Sequence, residues 1–232
     1  MLRVLHEDEH LIAVDKPAAC FVHPPEDSVT PVPLAATCLG MLKRQTGRYL
    51  YPIHRLDFAT SGVLLFAFDA ATAQAMNALF RTRAIAKSYC CVVRGWAPDE
   101  GVIERPLGAG EAAAVPAETR FETLARLELP HAVGKYSTAR YSLVRVNPVT
   151  GRWHQIRRHL AGISHPIVGD VGHGDRHHNR FFREHLGLGS LLLRAHLLRF
   201  DHPMTAQPLW IESGWNDPWL RLFDLFGCCP LG

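Results

Sequence analysis

No apolar run in this 232-residue chain is long enough to cross a bilayer as a helix, and its opening residues, MLRVLHEDEH, lack the charged-then-apolar order of a secretory leader. A cytoplasmic location is therefore the default expectation. The six cysteines, Cys20, Cys38, the pair Cys90-Cys91 and the pair Cys228-Cys229, fit neither a secreted disulfide framework nor paired CxxC zinc arms. Reduced, mostly buried thiols are expected. Neither GxGxxG nor a P-loop occurs, which removes the usual glycine cradles for dinucleotides and nucleoside triphosphates. There is no internal repeat and no linker, and a formal charge of +3 is too small to argue for nucleic acid by itself. The chemistry has to come from side chains.

What is present suits a globular protein: 47% hydrophobic residues, and a length that fits one large domain or two closely packed subdomains. Residues 2–5 and 11–15 read as short strands about an acidic turn, and Lys16-Pro17 stops the pairing. Prolines 24, 25, 31 and 33 mark a loop before a helical stretch at 34–43. Residues 62–68 read as a buried strand, followed by a helix that Asp69 can cap and whose Ala73, Met76 and Phe80 share a face. Strands are expected at 87–94, 136–146, 191–200 and 209–212, with a surface excursion at 108–117. Residues 151–162, GRWHQIRRHLAG, have helical spacing, and a terminal amphipathic helix carries Trp219, Leu222, Phe223 and Phe226. Without strict βαβ alternation, the fold class is α+β, with a mixed, largely antiparallel sheet and helices packed on it.

Three segments carry candidate chemistry. In IHRLDFATSG, residues 53–62, Arg55 and Asp57 stand just before the buried strand, where a carboxylate must be paired or hydrogen-bonded to stay ionised. The plainer reading is a structural Arg-Asp pair at a turn, which spacing alone favours. In GRWHQIRRH, residues 151–159, a continuous helix sets Arg152 four before Ile156 and His154 four before Arg158. One face could take RNA phosphate while another lends an arginine to an internal partner; a solvated basic face is the ordinary alternative. In GHGDRHHNR, residues 172–180, His177 and His178 are adjacent with no HExxH or spaced ligand triplet, and the surrounding cations disfavour a metal. Phosphate contacts from Arg176, Arg180 and Arg183 are the stronger reading, and an exposed basic loop the plainer one. A hydrolase built on His173, Asp175 and His178 is a distant alternative.

Taken together, these segments resemble the RluA-type pseudouridine synthases. HRLDFATSG is similar to that family's HRLDxxTSG signature, and GRWHQIRRHLAGISHPIVGD to its GRxHQIRxH…HPIxGD segment. LIAVDKPAACFVHP is similar to LxVxxKPxGxxVHP, and Lys87-Ser88-Tyr89 to the KxY strand. Four blocks in the family's order, from about residue 11 to about residue 170, make a specific match. Ala18-Ala19 departs from it where relatives commonly place a glycine second, so the turn after Pro17 is expected to keep negative φ here.

The resemblance implies the pseudouridine synthase fold with an active-site cleft across its sheet, one catalytic domain over 1–232 without an S4-type RNA-binding domain, and no cofactor or metal. It implies Asp57 as the essential carboxylate, Arg157 as its partner, and Tyr89 as the residue that stacks on uracil and helps remove the C5 proton. Ile156 becomes an apolar floor, and Arg55 the side chain that fills the place of a flipped base, a step costing on the order of a few kcal/mol. Arg152, His154, Arg158, Arg176 and Arg180 become RNA contacts. The last hundred residues most resemble members acting on tRNA, which implies a monomer that modifies uridine 65 of the T stem. Ribosomal RNA as substrate and a non-catalytic RNA-binding module are the alternatives.

Overall fold

The computed structural model describes residues 1–25, 30–108 and 113–230. Its elements are β1 (Arg3–Glu7), β2 (Leu11–Lys16), a 3-10 turn (Leu34–Ala36), α1 (Cys38–Thr46), β3 (Tyr51–Pro52), β4 (Ser61–Ala67), α2 (Ala70–Arg81) and β5 (Ala86–Arg94). There follow β6 (Glu100–Ile103), β7 (Thr119–Leu129), β8 (Ala139–Pro148), α3 (Gln155–Gly162), α4 (Arg176–His185), β9 (Leu193–Asp201), β10 (Pro208–Glu212) and α5 (Asp217–Phe226). This is an α+β protein. The chain forms two units, Met1–Lys87 with Ala195–Ser213, and Ser88–Arg194 with Gly214–Gly232.

In the first unit the strand order is β1-β2-β4-β9, with β3 on β4 and β10 on β9. β1–β2, β2–β4, β3–β4 and β9–β10 are antiparallel. All seven residues of β4 are buried, as a continuous apolar run requires when both faces of a strand are covered. Asp69 caps α2 by accepting from Thr72 N, and Ala73 and Met76 turn inward onto a core with Leu11, Val63, Leu65, Leu198 and Phe200. β1 runs two residues past the expected end at 5, so the turn shrinks to 8–10; there Asp8 Oδ1 accepts from His10 N and Leu11 N.

The second unit has the order β5-β8-β7-β6, and its β5–β8, β7–β8 and β6–β7 pairs are antiparallel. Trp219, Leu222, Phe223 and Phe226 of α5 bury against Cys90, Val92, Tyr141 and Leu143. Strands β6 and β7 were not expected. TRFETLARLEL mixes charges and helix formers with apolar residues, and only pairing along β8, through an irregularity between Thr123 and Ala125, fixes it as extended. Residues 136–138 precede β8 instead of beginning it. Within the excursion at 108–117, residues 109–112 lie outside the described residues, as do 26–29 of the proline-rich loop.

Candidate active site

In the first unit the segment around Asp57 is tied down at both ends. Thr60 N donates to Asp57 O to close the turn, and Thr60 and Ser61 are buried. Gly62 has φ +110, and a Cβ there would collide with the carbonyl of Ala195, so only glycine admits that approach. Upstream, Leu65 N donates to His54 Nε2 at 3.1 Å, and the imidazole stacks on Phe80. Burial, with Lys87 adding like charge, pushes His54 down to about 4, in keeping with a ring nitrogen that accepts. Asp57 itself is half-buried and Arg55 exposed.

The fully buried Lys16 holds the other side of this loop. Its Nζ donates to Pro17 O at 2.9 Å and to Phe58 O at 3.1 Å, and Cys20 N donates to the same Phe58 carbonyl. Burial lowers the Lys16 ammonium to about 8, while the charge of Asp57 works the other way. The turn between Lys16 and Cys20 corrects the expectation of negative φ: Ala19 sits at φ 56. Alanine occupies the left-handed conformation because the hydrogen bonds of Lys16 and Cys20 to Phe58 O, with the Phe21–Phe58 ring contact, over-determine it.

In the second unit Tyr89 is half-buried on β5, opposite Val146. Ile156 and Arg157 are both buried on α3. The Arg157 guanidinium grips Asp170 with two bonds, Nε to Oδ2 at 2.7 Å and Nη2 to Oδ1 at 2.8 Å. Asp170 Oδ1 also accepts from Gly172 N and His173 N. Burial alone would raise the Asp170 carboxyl, but Arg157 and the two amides outweigh it and hold it below its ordinary value. Asn179 fastens the same loop, accepting from Gly169 N and donating to Asp170 O.

The continuous helix expected from 151 is corrected. α3 starts at Gln155, whose Oε1 accepts from Thr150 Oγ1 and Arg152 N and whose Nε2 donates to Glu118 O and Thr119 Oγ1. That network pulls the preceding turn out of helical geometry, and His154 takes φ 52. Arg152 and His154 therefore share no helical face with Ile156 and Arg158. Arg152 Nε donates to Pro116 O, Arg158 Nη2 to Gly108 O, and His154 Nδ1 lies 3.0 Å from His173 Nε2.

The basic residues from Arg176 onward form a helix instead of a loop. Asp175 caps α4 through His177 N and pairs with Arg94 at 2.7 Å. His178 turns inward to Tyr141 Oη, whereas Arg176, His177, Arg180 and Arg183 line an open pocket of about 460 Å³ with Asp170 and Asn179. Of the alternative triad, His173 contacts His154, Asp175 pairs with Arg94 and His178 contacts Tyr141. Among the described residues, no group of three or more His, Cys, Asp or Glu side chains is arranged to hold a metal. The sequence reading missed Asp170 and Asn179; the acidic end of HPIVGD, so close after an arginine-rich helix, was the available signal.

A family model for RNA pseudouridylate synthases matches residues 10–162. A tRNA pseudouridine synthase C from Vibrio cholerae is 41% identical over 98% of this chain and 96% of its own length. The same-named protein of Pectobacterium carotovorum is also 41% identical over 98% of the chain, which spans 62% of that relative's length. Among solved structures, the human RNA pseudouridylate synthase domain containing 4 has a TM-score of 0.73 at 24% identity, covering 97% of this chain and 93% of that one. Human domain containing 1 has a TM-score of 0.73 at 22% identity over 98% and 87%. These two likenesses concern the fold.

Proposed function

The chain belongs to the RNA pseudouridylate synthase family, and from that premise we propose that it is an isomerase converting uridine to pseudouridine in tRNA, at position 65 of the T stem. The observation that carries the reading is the 41% identity to a tRNA pseudouridine synthase C along almost the whole of both chains. The reaction breaks the bond from uracil N1 to ribose C1′, turns the ring and joins C5 to C1′, with no change of redox state. Asp57 is the carboxylate that starts it, as nucleophile on the sugar or as base toward a ribose proton. Its half-buried position on a loop fixed by Lys16, Thr60 and Gly62 supports a side chain presented in one geometry.

Tyr89 stacks on the uracil and assists loss of the C5 proton, Ile156 gives the ring an apolar contact, and Arg157 stabilises the negative charge the reaction handles. Arg55, exposed beside the loop, replaces the flipped nucleotide. Arg152, His154, Arg158, Arg176 and Arg180 contact the RNA, mostly its phosphates. Residues 1–232 act as one catalytic domain and as a monomer on cytoplasmic tRNA, without cofactor. The test is to incubate the protein with tRNA transcript and ribosomal RNA fragments and to locate pseudouridine by carbodiimide-stop sequencing. A stop at position 65 of tRNA, lost in Asp57→Asn with RNA binding near wild type, is expected. Modification of ribosomal RNA with a silent tRNA lane overturns the substrate; binding without turnover in any RNA points to the non-catalytic module.

A further inference from the structure

Trp153 is 66% exposed, in the turn that leads into α3. A large indole left in water contributes little to a core, yet this one is held firmly. Its ring stacks on that of His154, with centroids 3.7 Å apart and planes 17° from parallel. His173 meets both rings edge-on, at 5.2 Å from His154 and 6.3 Å from Trp153. The His154 backbone is in the left-handed region, a conformation that costs a non-glycine residue on the order of 1–3 kcal/mol and persists only when its surroundings enforce it. The Gln155 network sets this turn, the 3.0 Å hydrogen bond between His154 Nδ1 and His173 Nε2 holds it, and His173 N donates to Asp170, the buried partner of Arg157. A continuous chain of contacts thus runs from the Arg157–Asp170 pair to an exposed aromatic face.

We propose that Trp153 is a stacking site for a nucleobase of the bound RNA, other than the uridine that is isomerised. The inference rests on the tRNA reading above. A flat π-face already ordered by His154 and His173 meets a base without the entropy cost of fixing a free side chain. Arg152 precedes it, and the Arg158 guanidinium stands 6.0 Å from the indole centroid, so positive charge for the adjoining phosphates flanks the ring in sequence and in space. Base–aromatic stacking tolerates any base, so this site adds affinity and register while discriminating little among sequences.

The experiment measures tRNA dissociation constants for wild type, Trp153→Ala and Trp153→Phe, on intact transcripts and on a set carrying one abasic site each. Stacking of this kind contributes roughly 5- to 150-fold in affinity. Trp153→Ala is expected to weaken binding within that range, Trp153→Phe to recover most of it, and one abasic position to abolish the difference between wild type and Trp153→Ala. Binding by Trp153→Ala within twofold of wild type overturns the proposal. So does a loss that persists unchanged on every abasic RNA, because the indole is then only propping His154. Wild-type protein that binds tRNA but makes no pseudouridine in it refutes the proposed function instead, since these titrations do not depend on turnover.

Discussion

Replacing Asp170 by Asn removes the negative half of a buried ion pair and leaves Arg157 behind. Asp170 is 1% exposed, and its carboxylate accepts two hydrogen bonds from the Arg157 guanidinium and one each from the amides of Gly172 and His173. Asparagine keeps the volume but turns one acceptor into a donor aimed at N–H groups, and the buried guanidinium loses the charge of Asp170. Breaking a buried ion pair from one side costs about 3–5 kcal/mol. For a chain of this length each kcal/mol corresponds to roughly 2–4 °C, so thermal unfolding should move down by roughly 6–20 °C. The decisive control is the double variant Arg157→Met with Asp170→Leu, which removes both charges of this pair. It should unfold closer to wild type than Asp170→Asn does, since apolar replacement of a whole buried pair is often neutral or stabilising. Calorimetry on the three proteins tests this. An Asp170→Asn variant within about 1 kcal/mol of wild type refutes the argument, as does a double variant no more stable than the single one.

Three other outcomes follow from the geometry. Ala19→Gly should stabilise by roughly 0.5–1 kcal/mol, the relief of left-handed strain less the added entropy of an unfolded glycine, and urea unfolding that shows a loss contradicts it. His54, depressed to about 4 in the fold against its ordinary 6.5, favours its neutral form there. Its contribution is therefore full above pH 6.5 and is lost as pH falls toward 4, by ~3 kcal/mol at most, so His54→Gln should flatten the stability profile in that window alone. Arg176, Arg180 and Arg183 changed together to Ala should lower the log-log salt slope of RNA binding by up to roughly 2–3, at roughly 0.7–0.9 per lost phosphate contact. Because Glu184 lies within 3.7 Å of Arg180 and 3.4 Å of Arg183, the upper figure is a ceiling, and an unchanged slope makes this face of α4 a bystander.

Local pattern carried much of this protein. The buried run of β4, the Asp69 cap on α2 and the inward stripe of α5 follow from spacings of a few residues, which periodicity and capping chemistry encode directly. The family was legible for another reason: its motif segments, among them HRLDFATSG and GRWHQIRRH, stand in a fixed order along the chain. Partners distant in sequence were not legible. Gln155 delays the start of the helix expected from 151 because it bonds Glu118 and Thr119, some 36 residues away, and nothing within GRWHQIRRH announces that. Ala19 is forced to positive φ by groups gathered around Phe58 O, although its own side chain disfavours it. The basic run at 176–183 has one composition and two destinies, His178 inward to Tyr141 and Arg176, Arg180 and Arg183 outward to the pocket, because a helix separates faces that a linear reading merges. Sequence by itself determined which groups are available for chemistry and most of the local elements. The tertiary structure decided which charge meets which, since hydrogen-bond and ion-pair partners are chosen by proximity in the folded chain and not by spacing along it.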